Sequence, residues 1–248
     1  MGALTEEIPK PMLRIDGKPM LQHIIERLRQ AGIKDILIVV GYHREQIEAH
    51  FPNLKFVTQE ITEGTAAAVR LGRAFAADDP FLLTFGDILC EASNYEGIAK
   101  VFAQSQTAAV LGVKNVTDPW QGAAVYADSS GRVTKLIEKP KQGTSTTNWN
   151  SAGLYAFAPV VFQEIERVKK SPRGEYEITS AIEQLIDSGR PVCLYEMKGV
   201  WKDVGRPEDL KLLNSEQALF QYCPPPGTET KPCASPSSSR ENLPPSDK

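Results

Sequence analysis

The stretch that decides the fold is "FLLTFGDIL", residues 81–89, in which an apolar run ends directly before Gly86 and Asp87. A second apolar run, "ILIVV", occupies residues 36–40. Consecutive apolar positions bury both faces of a strand, which is typical of parallel strands covered by helices on both sides. Helical patterns lie between such runs, for example "TAAAVRLGRAF" over residues 65–75. The alternation predicts an α/β fold with a doubly wound, mainly parallel sheet.

The second half of the chain has a different pattern. After about Ala108 the strands become longer and carry turn signals, as in "DSSG" over residues 128–131. We therefore expect an α+β half, with a last helix from about Pro207 and a fold that ends near Tyr222. Residues 223–248 are rich in Pro, Ser and charge, and we expect a disordered tail there because the segment has little apolar surface to bury.

Composition excludes several classes of protein. The 248 residues are 41% hydrophobic with a formal net charge of −3, so the chain has no basic stripe for nucleic acid. The 4 cysteines show no CxxC spacing, which argues against a zinc site or a disulfide framework. No stretch approaches the length of a membrane span and no signal peptide pattern is present, so we expect a cytoplasmic protein with no membrane partner.

Two carboxylates follow predicted strands at positions where open α/β sheets bind ligands. Asp87 comes after "FLLTF", beside Gly86, whose small size lets a backbone or ligand pass close. Asp203 follows a later strand in "WKDVG", residues 201–205. A single Asp at such a place is more often a turn or helix cap. As a pair, however, the two can share one hard cation, and Mg²⁺ with one or two carboxylates and phosphate oxygens fits a nucleotide site.

Seven segments in order strengthen that hypothesis: "IPKPML", "QEITEGTAAAV", "FGD", "EKP", "NSAGLY", "GEYEIT" and "WKDVG". From residue 1 to about 215 the chain thus resembles the sugar-1-phosphate nucleotidyltransferases. The resemblance implies a Rossmann-like sheet with an α+β sugar-binding half. It also implies a reaction that joins a nucleoside triphosphate to a sugar 1-phosphate and releases pyrophosphate, with Mg²⁺ held by Asp87 and Asp203. It leaves assembly into a homo-oligomer open.

Carried onto these segments, the resemblance assigns the nucleotide end of the site. Lys10 would neutralise triphosphate charge, presented between Pro9 and Pro11, whose rings restrict the backbone. The nucleotide-binding residues would be Gln59, Gly64, Thr65 and Gly86. The amide of the first would read a base edge, and the glycine at 64 would let the base lie against backbone. For Thr65, a capping role at the next helix is an equal alternative.

The same resemblance assigns the sugar phosphate to Glu138, Lys139, Asn150, Gly153 and Glu175. Carboxylate and amide groups would hold sugar hydroxyls, the lysine would face the sugar phosphate, and the glycine would allow close approach. Tyr155 and Trp201 fit the pocket lining or the core equally well.

One departure from the family concerns the start of the chain. The family's strand and glycine-rich loop would precede "LTEEIPKPML", where this chain has "MGA". We therefore expect residues 1–222 to form an N-terminally incomplete nucleotidyltransferase domain, with a strand absent between "ILIVV" and "FLLTF". The alternative is a catalytically inert sugar-nucleotide-binding or regulatory homologue. A cytidylyl or molybdopterin-type transferase is opposed by "NSAGLY" and "EKP".

Overall fold

The computed structural model describes residues 5–215, and the predicted tail over residues 223–248 lies outside them, as does the predicted end of the domain near Tyr222. Strands occur at β1 (Arg14–Ile15), β2 (Lys18–Pro19), β3 (Leu37–Val40), β4 (Lys55–Thr58), β5 (Phe81–Thr84), β6 (Ile88–Cys90), β7 (Ala109–Asn115), β8 (Ala123–Ala127), β9 (Val133–Glu138), β10 (Trp149–Phe157), β11 (Val192–Glu196) and β12 (Trp201–Asp203). Helices occur at α1 (Met20–Gln30), α2 (Arg44–His50), α3 (Thr65–Leu71), α4 (Arg73–Ala76), α5 (Ala92–Gln104), α6 (Val161–Ile165), α7 (Ile178–Asp187) and α8 (Pro207–Ser215), with a short 3₁₀ helix at Lys10–Met12.

The largest described sheet is mixed. Its strand order is β11-β7-β10-β8-β9, and β5 also pairs with β10. The β11–β7 pair is parallel, as is the separate β3–β4 pair, whereas β10 runs antiparallel to β5, β7 and β8. The predicted α/β class is confirmed. The expectation for "FLLTF" needs one refinement, because the described pairing of β5 is antiparallel.

Helices cover both faces of β10 and β5, as the apolar run "FLLTF" predicted, whereas the run "ILIVV" is not buried on both faces, since Val39 is 36% exposed. Successive residues of β10 alternate between two cores: Tyr155 and Phe157 pack with α3, α6 and α7, while Leu154 and Ala156 pack with α1, α5 and α8. Burial on two sides therefore explains the run "FLLTF" without requiring parallel neighbours. A third, smaller cluster joins α1 to β3 and α2.

Local signals for helix ends and turns are largely confirmed. The α1 helix ends before Gly32, whose φ of +81° suits a residue without a Cβ, and Ile33 N donates to Leu28 O. The "DSSG" turn joins antiparallel β8 and β9, with the Asp128 carboxylate accepting from two backbone N–H groups. The single helix predicted over residues 65–75 is instead broken at Gly72, since glycine is a poor helix former.

Two further structural facts complete the fold. Within residues 5–215, β3 pairs with β4 and β5 with β10, and β3 and β5 do not pair with each other. No helix of this described part is long and apolar enough to cross a bilayer.

Candidate active site

A cavity of about 650 Å³ lies where the chain segments after β5, β9 and β12 meet the start of β10. The residues that line it are far apart in the sequence, and many of them were predicted to belong to one site. The predicted residues that line it are Thr65, Asp87, Glu138, Lys139, Asn150, Gly153, Glu175 and Asp203. Tyr155 and Trp201 line it as well. The fold thus brings the predicted metal and sugar-phosphate residues to one cavity.

Lys10 joins this cavity through an ion pair. Its ammonium lies 2.6 Å from Oδ2 of Asp87, and both side chains are about one-third exposed. The lysine lies in the short 3₁₀ helix that begins after Pro9, where Met12 N donates to Pro9 O. The turn orients the side chain toward the strand-end carboxylate, so the cation predicted for phosphate charge and a predicted metal ligand contact each other directly.

Asp203 lies beside Asp87 because two short strands pair there. In the antiparallel β12–β6 pair Asp203 is opposite Ile88, and Val204 N donates to Asp87 O. Although Asp203 is an exposed residue, loss of hydration raises the pKa of its carboxyl, the charge of Asp87 raises it further, and Lys10 opposes the rise. Two carboxylates that repel each other across one small space form an arrangement that a shared cation would stabilise.

The protein atoms at the site supply only some of the ligands that Mg²⁺ requires. No group of three or more His, Cys, Asp or Glu side chains suited to a metal occurs within residues 5–215. Mg²⁺ is bound in nucleotide sites by one or two carboxylates, with phosphate oxygens and waters completing the octahedron. Asp87 and Asp203 meet that requirement if the remaining ligands come from the substrates.

One guanidinium holds three acidic side chains of the cavity, two of which were predicted to bind the sugar phosphate. Nη2 of Arg173 lies 3.3 Å from Glu138, 3.7 Å from Glu175 and 2.7 Å from Glu177. The other carboxylate oxygen of Glu138 accepts from the Thr179 hydroxyl at 3.0 Å. Loss of hydration raises the pKa of Glu138, and the Thr179 hydrogen bond is the largest opposing influence. Arg173 therefore keeps three acidic side chains together at the cavity.

Asn150 presents an oxygen without a partner. The residue is only 9% exposed, and its Nδ2 donates to Ser151 O at 2.8 Å. Its Oδ1 is buried and has no hydrogen-bond partner in the described chain, as is also true of Oδ1 of Asp118. Gly122 packs against this amide so closely that a Cβ there would collide with it. Both orphaned oxygens belong to cavity residues and are acceptors, so a ligand that donates hydrogen bonds would satisfy them.

Comparison with known proteins identifies the family of the chain. A family model described as nucleotidyl transferase matches residues 2–218. The chain belongs to the nucleotidyl transferase family. This result confirms the family that the ordered segments indicated.

Individual relatives of this nucleotidyl transferase carry related names. The chain is 38% identical over 210 residues to the bifunctional protein GlmU of Methanocaldococcus jannaschii, covering 84% of this chain and 48% of that protein. It is 34% identical over 216 residues to the UTP–glucose-1-phosphate uridylyltransferase AglF of Haloferax volcanii, covering 83% of this chain and 86% of that protein. The chain thus spans about half the length of the GlmU protein that it matches.

A solved structure shows the same fold. The crystal structure of UDP-glucose pyrophosphorylase complexed with UDP-glucose aligns with a TM-score of 0.79 at 21% identity, covering 88% of this chain and 93% of that one. At that identity the likeness concerns the fold, which confirms the expected architecture.

Of the residues predicted to bind the nucleotide, Gly64 and Gln59 do not line the cavity of this nucleotidyl transferase. Gly64 has a φ of +104°, and a Cβ there would lie 2.6 Å from Tyr176 O. The close approach that requires this glycine is therefore made by the chain's own backbone, and contact with a base stays a prediction. Nε2 of Gln59 donates to Gly64 O at 3.3 Å, so its amide is partly engaged.

Thr65 does not cap α3, the helix that follows it, as the sequence suggested. Its hydroxyl makes no cap to its own helix and instead accepts from Ile178 N at 2.9 Å, at the start of α7. The threonine therefore caps a helix that lies 113 positions away. Local sequence rules favour the nearest helix and could not find this partner.

Two glycines differ in what they require. A Cβ at Gly153 would lie 2.7 Å from the Ile88 side chain, and its φ is +71°, so packing and backbone both demand glycine. It lies where the pairing of β10 with β7 shifts register between Ser151 and Tyr155. A Cβ at Gly86 would meet Pro11 at an ordinary 3.5 Å, so sterics do not explain Gly86.

Sequence reasoning missed Arg173 and Asp118. Arg173 directly precedes the "GEYEIT" segment, so a cation beside a motif rich in acids was a usable signal. Asp118, in "TDPW", follows β7 and resembles an ordinary turn residue in the sequence, whereas in the structure its Oδ2 accepts from Gly143 N at 2.8 Å. Its other oxygen, Oδ1, indicates a ligand contact only because the structure shows that it is buried, which the sequence does not report.

Proposed function

We propose that this chain is a sugar-1-phosphate nucleotidyltransferase that takes a nucleoside triphosphate and a sugar 1-phosphate and releases pyrophosphate. The observation that carries the proposal is the shared cavity, in which the Lys10–Asp87 pair and Asp203 lie at one side and the sugar-side acids and Asn150 at the other. The name of AglF, a UTP–glucose-1-phosphate uridylyltransferase, supports the same reaction class.

In the proposed reaction, an oxygen of the sugar phosphate attacks the α-phosphorus of the triphosphate in line with the leaving group. The new phosphorus–oxygen bond forms as the bond to the β-phosphate oxygen breaks, and the pyrophosphate carries away the electron pair. No covalent enzyme intermediate is involved. Mg²⁺ held by Asp87 and Asp203 would supply positive charge for the phosphate oxygens.

The chain's own residues position and neutralise the reactants. The Lys10 ammonium, which pairs with the Asp87 carboxylate, would pair with a phosphate oxygen when the triphosphate binds. One ion pair then replaces another. Lys139 is exposed at the cavity and has a φ of +42°, a strained conformation for a residue with a side chain. Both cations reduce the repulsion between two anionic substrates, which is the main requirement of phosphoryl transfer.

The sugar end is rich in hydrogen-bond acceptors. Glu138, Asn150 and Glu175 all present oxygen atoms at the cavity, and Oδ1 of Asn150 receives no hydrogen bond from residues 5–215. Sugar hydroxyls are donors, so they satisfy these groups. A cytoplasmic location stays a prediction of the sequence, and assembly into a homo-oligomer stays open.

The decisive experiment is a matrix of nucleoside triphosphates and sugar 1-phosphates with Mg²⁺, assayed for pyrophosphate release and for the nucleotide sugar. We expect at least one pair to give both products in equal amounts, and the Asp203→Asn variant to give neither. If no pair reacts although ligands still raise the melting temperature, the inert sugar-nucleotide-binding alternative replaces the proposal.

A further inference from the structure

The segment that precedes Lys10 is held by side chains from a distant turn. Residues 6–8 are exposed and irregular, and their backbone makes no hydrogen bond with backbone groups of residues 9–215. A second cavity of about 360 Å³ lies between Pro9–Pro11 and the end of β3. Packing therefore leaves the segment incompletely supported, although it leads directly to the lysine that pairs with Asp87.

Three donors from the start of α2 converge on this segment. The Tyr42 hydroxyl donates to Glu6 O at 2.6 Å, and Nε2 of Gln46 donates to Glu7 O at 2.7 Å. Nε2 of His43 lies 3.1 Å from the same Glu6 O and donates to it when that nitrogen is protonated. Two consecutive carbonyl groups thus receive hydrogen bonds from a turn 36 to 39 positions away.

The conformation of this turn is not explained by the folding of α2. His43 has a φ of +54°, in the left-handed region that a β-carbon disfavours. It makes no side-chain cap to the helix that follows it. Tyr42 is 66% exposed, and its ring contacts the His43 ring with centroids 3.8 Å apart. A strained histidine and an exposed tyrosine at the start of one helix have instead a common target, the Glu6 carbonyl.

We propose that Tyr42, His43 and Gln46 are positioning residues that hold residues 6–9 so that the Lys10 ammonium is presented at Asp87. Within residues 5–215 no hydrogen bond or ring contact joins these three residues to a predicted substrate-binding residue, so in this proposal they act through the segment. The catalytic consequence rests on the proposed function, because it requires that Lys10 neutralise phosphate charge. The mechanical consequence, a fixed Lys10, does not depend on any reaction.

The first test measures the chemical reactivity of the Lys10 amine in the full chain without substrates. The variants are Tyr42→Phe, which removes only a hydroxyl, and Gln46→Met, which removes the amide at similar length. Trace acetylation followed by mass spectrometry gives the rate at which Lys10 reacts. We expect Lys10 to react at least threefold faster in both variants than in the parent. Glu48→Gln is the matched control, since this half-buried α2 residue makes no side-chain hydrogen bond or ion pair within residues 5–215, and we expect no change.

The second test asks whether the effect on turnover passes through Lys10. Tyr42→Phe should lower kcat about fivefold in the parent chain but less than twofold in a Lys10→Gln background, because the lysine that it positions is gone. A merely structural role would give equal factors in both backgrounds. Unchanged Lys10 acetylation in both variants, or equal kcat factors, would overturn the inference. If the parent has no transferase activity, the proposed function fails while the acetylation result still decides the positioning role.

Discussion

The ammonium of Lys10 and the carboxylate of Asp87 lie 2.6 Å apart although 77 positions separate them in the chain. Each therefore neutralises the other, and a divalent cation that binds Asp87 must compete with Lys10 for its Oδ2. The competition between Lys10 and a divalent cation can be measured as metal affinity, without any catalytic turnover.

Replacing Lys10 by Gln should raise the affinity for Mn²⁺ in the absence of nucleotide about tenfold, since the competing ammonium is removed. Titration followed by electron paramagnetic resonance measures free Mn²⁺ directly. The Lys18→Gln variant is the control, because Lys18 pairs with Glu26 on the surface instead. An unchanged Mn²⁺ affinity in Lys10→Gln would mean that the lysine does not occupy a metal ligand.

Replacing Asp203 by Asn should abolish transfer without destabilising the fold. The pKa of Asp203 is raised in the folded protein, so folding favours its protonated form and its ionisation opposes stability as the pH rises through that raised pKa. At pH 7 without metal the neutral Asn removes this repulsion from Asp87. Calorimetry should show an equal or higher melting temperature, and a clear drop would contradict this account of the pair.

Replacing Gly64 by Ala should destabilise the protein by about 2–4 kcal/mol, because the new Cβ would overlap Tyr176 O and the backbone has a positive φ. Gly86→Ala is the matched control, and we expect its free energy of unfolding to change by less than about 0.5 kcal/mol. Urea denaturation measures both. If Gly86→Ala instead lowers triphosphate affinity with stability intact, the predicted close approach of nucleotide to Gly86 gains support.

Replacing Arg173 by Ala should raise the KM for the sugar phosphate and lower stability at pH 7, since Glu138 and the buried Glu177 lose their shared cation. Arg173 lowers the pKa of Glu138, so its removal raises that pKa further. The stability deficit should therefore shrink as the pH falls toward the raised pKa of Glu138, where protonation removes the uncompensated charge. Lys198→Ala, which removes only the exposed pair with Glu196, should show no such pH dependence. Melting temperatures across the pH range distinguish the two variants.

The parts of the fold and site that could be predicted from sequence are those with local signals. The apolar runs located β3 and β5, and Asp87 was placed at a strand end because the run before it is visible in the sequence. Pro207 marked the start of α8, and "DSSG" marked the β8–β9 turn. Each of these rests on residues within a few positions of one another.

Features set by distant partners could not be predicted in the same way. The antiparallel pairing of β5 depends on β10, about 70 residues later, and no pattern within "FLLTF" encodes that direction. Thr65 was expected at its own helix and caps α7 instead. The glycine at 64 was explained by a ligand, whereas Tyr176 supplies the steric reason. Such contacts follow from tertiary packing, which periodicity does not report.

The cap from Thr65 to α7 belongs to a row of bonds between two loops. Tyr176 N donates to Glu63 O, Ala66 N donates to Tyr176 O, and Ile178 N donates to the Thr65 hydroxyl. The loop before α3 and the turn before α7 are thus joined by successive hydrogen bonds, as neighbouring strands of a sheet are. Opening one segment exposes the amides of the other, so the amide protons of Ala66, Tyr176 and Ile178 should exchange with solvent as a single cooperative unit. A ligand that stabilises either segment should slow the exchange of all three.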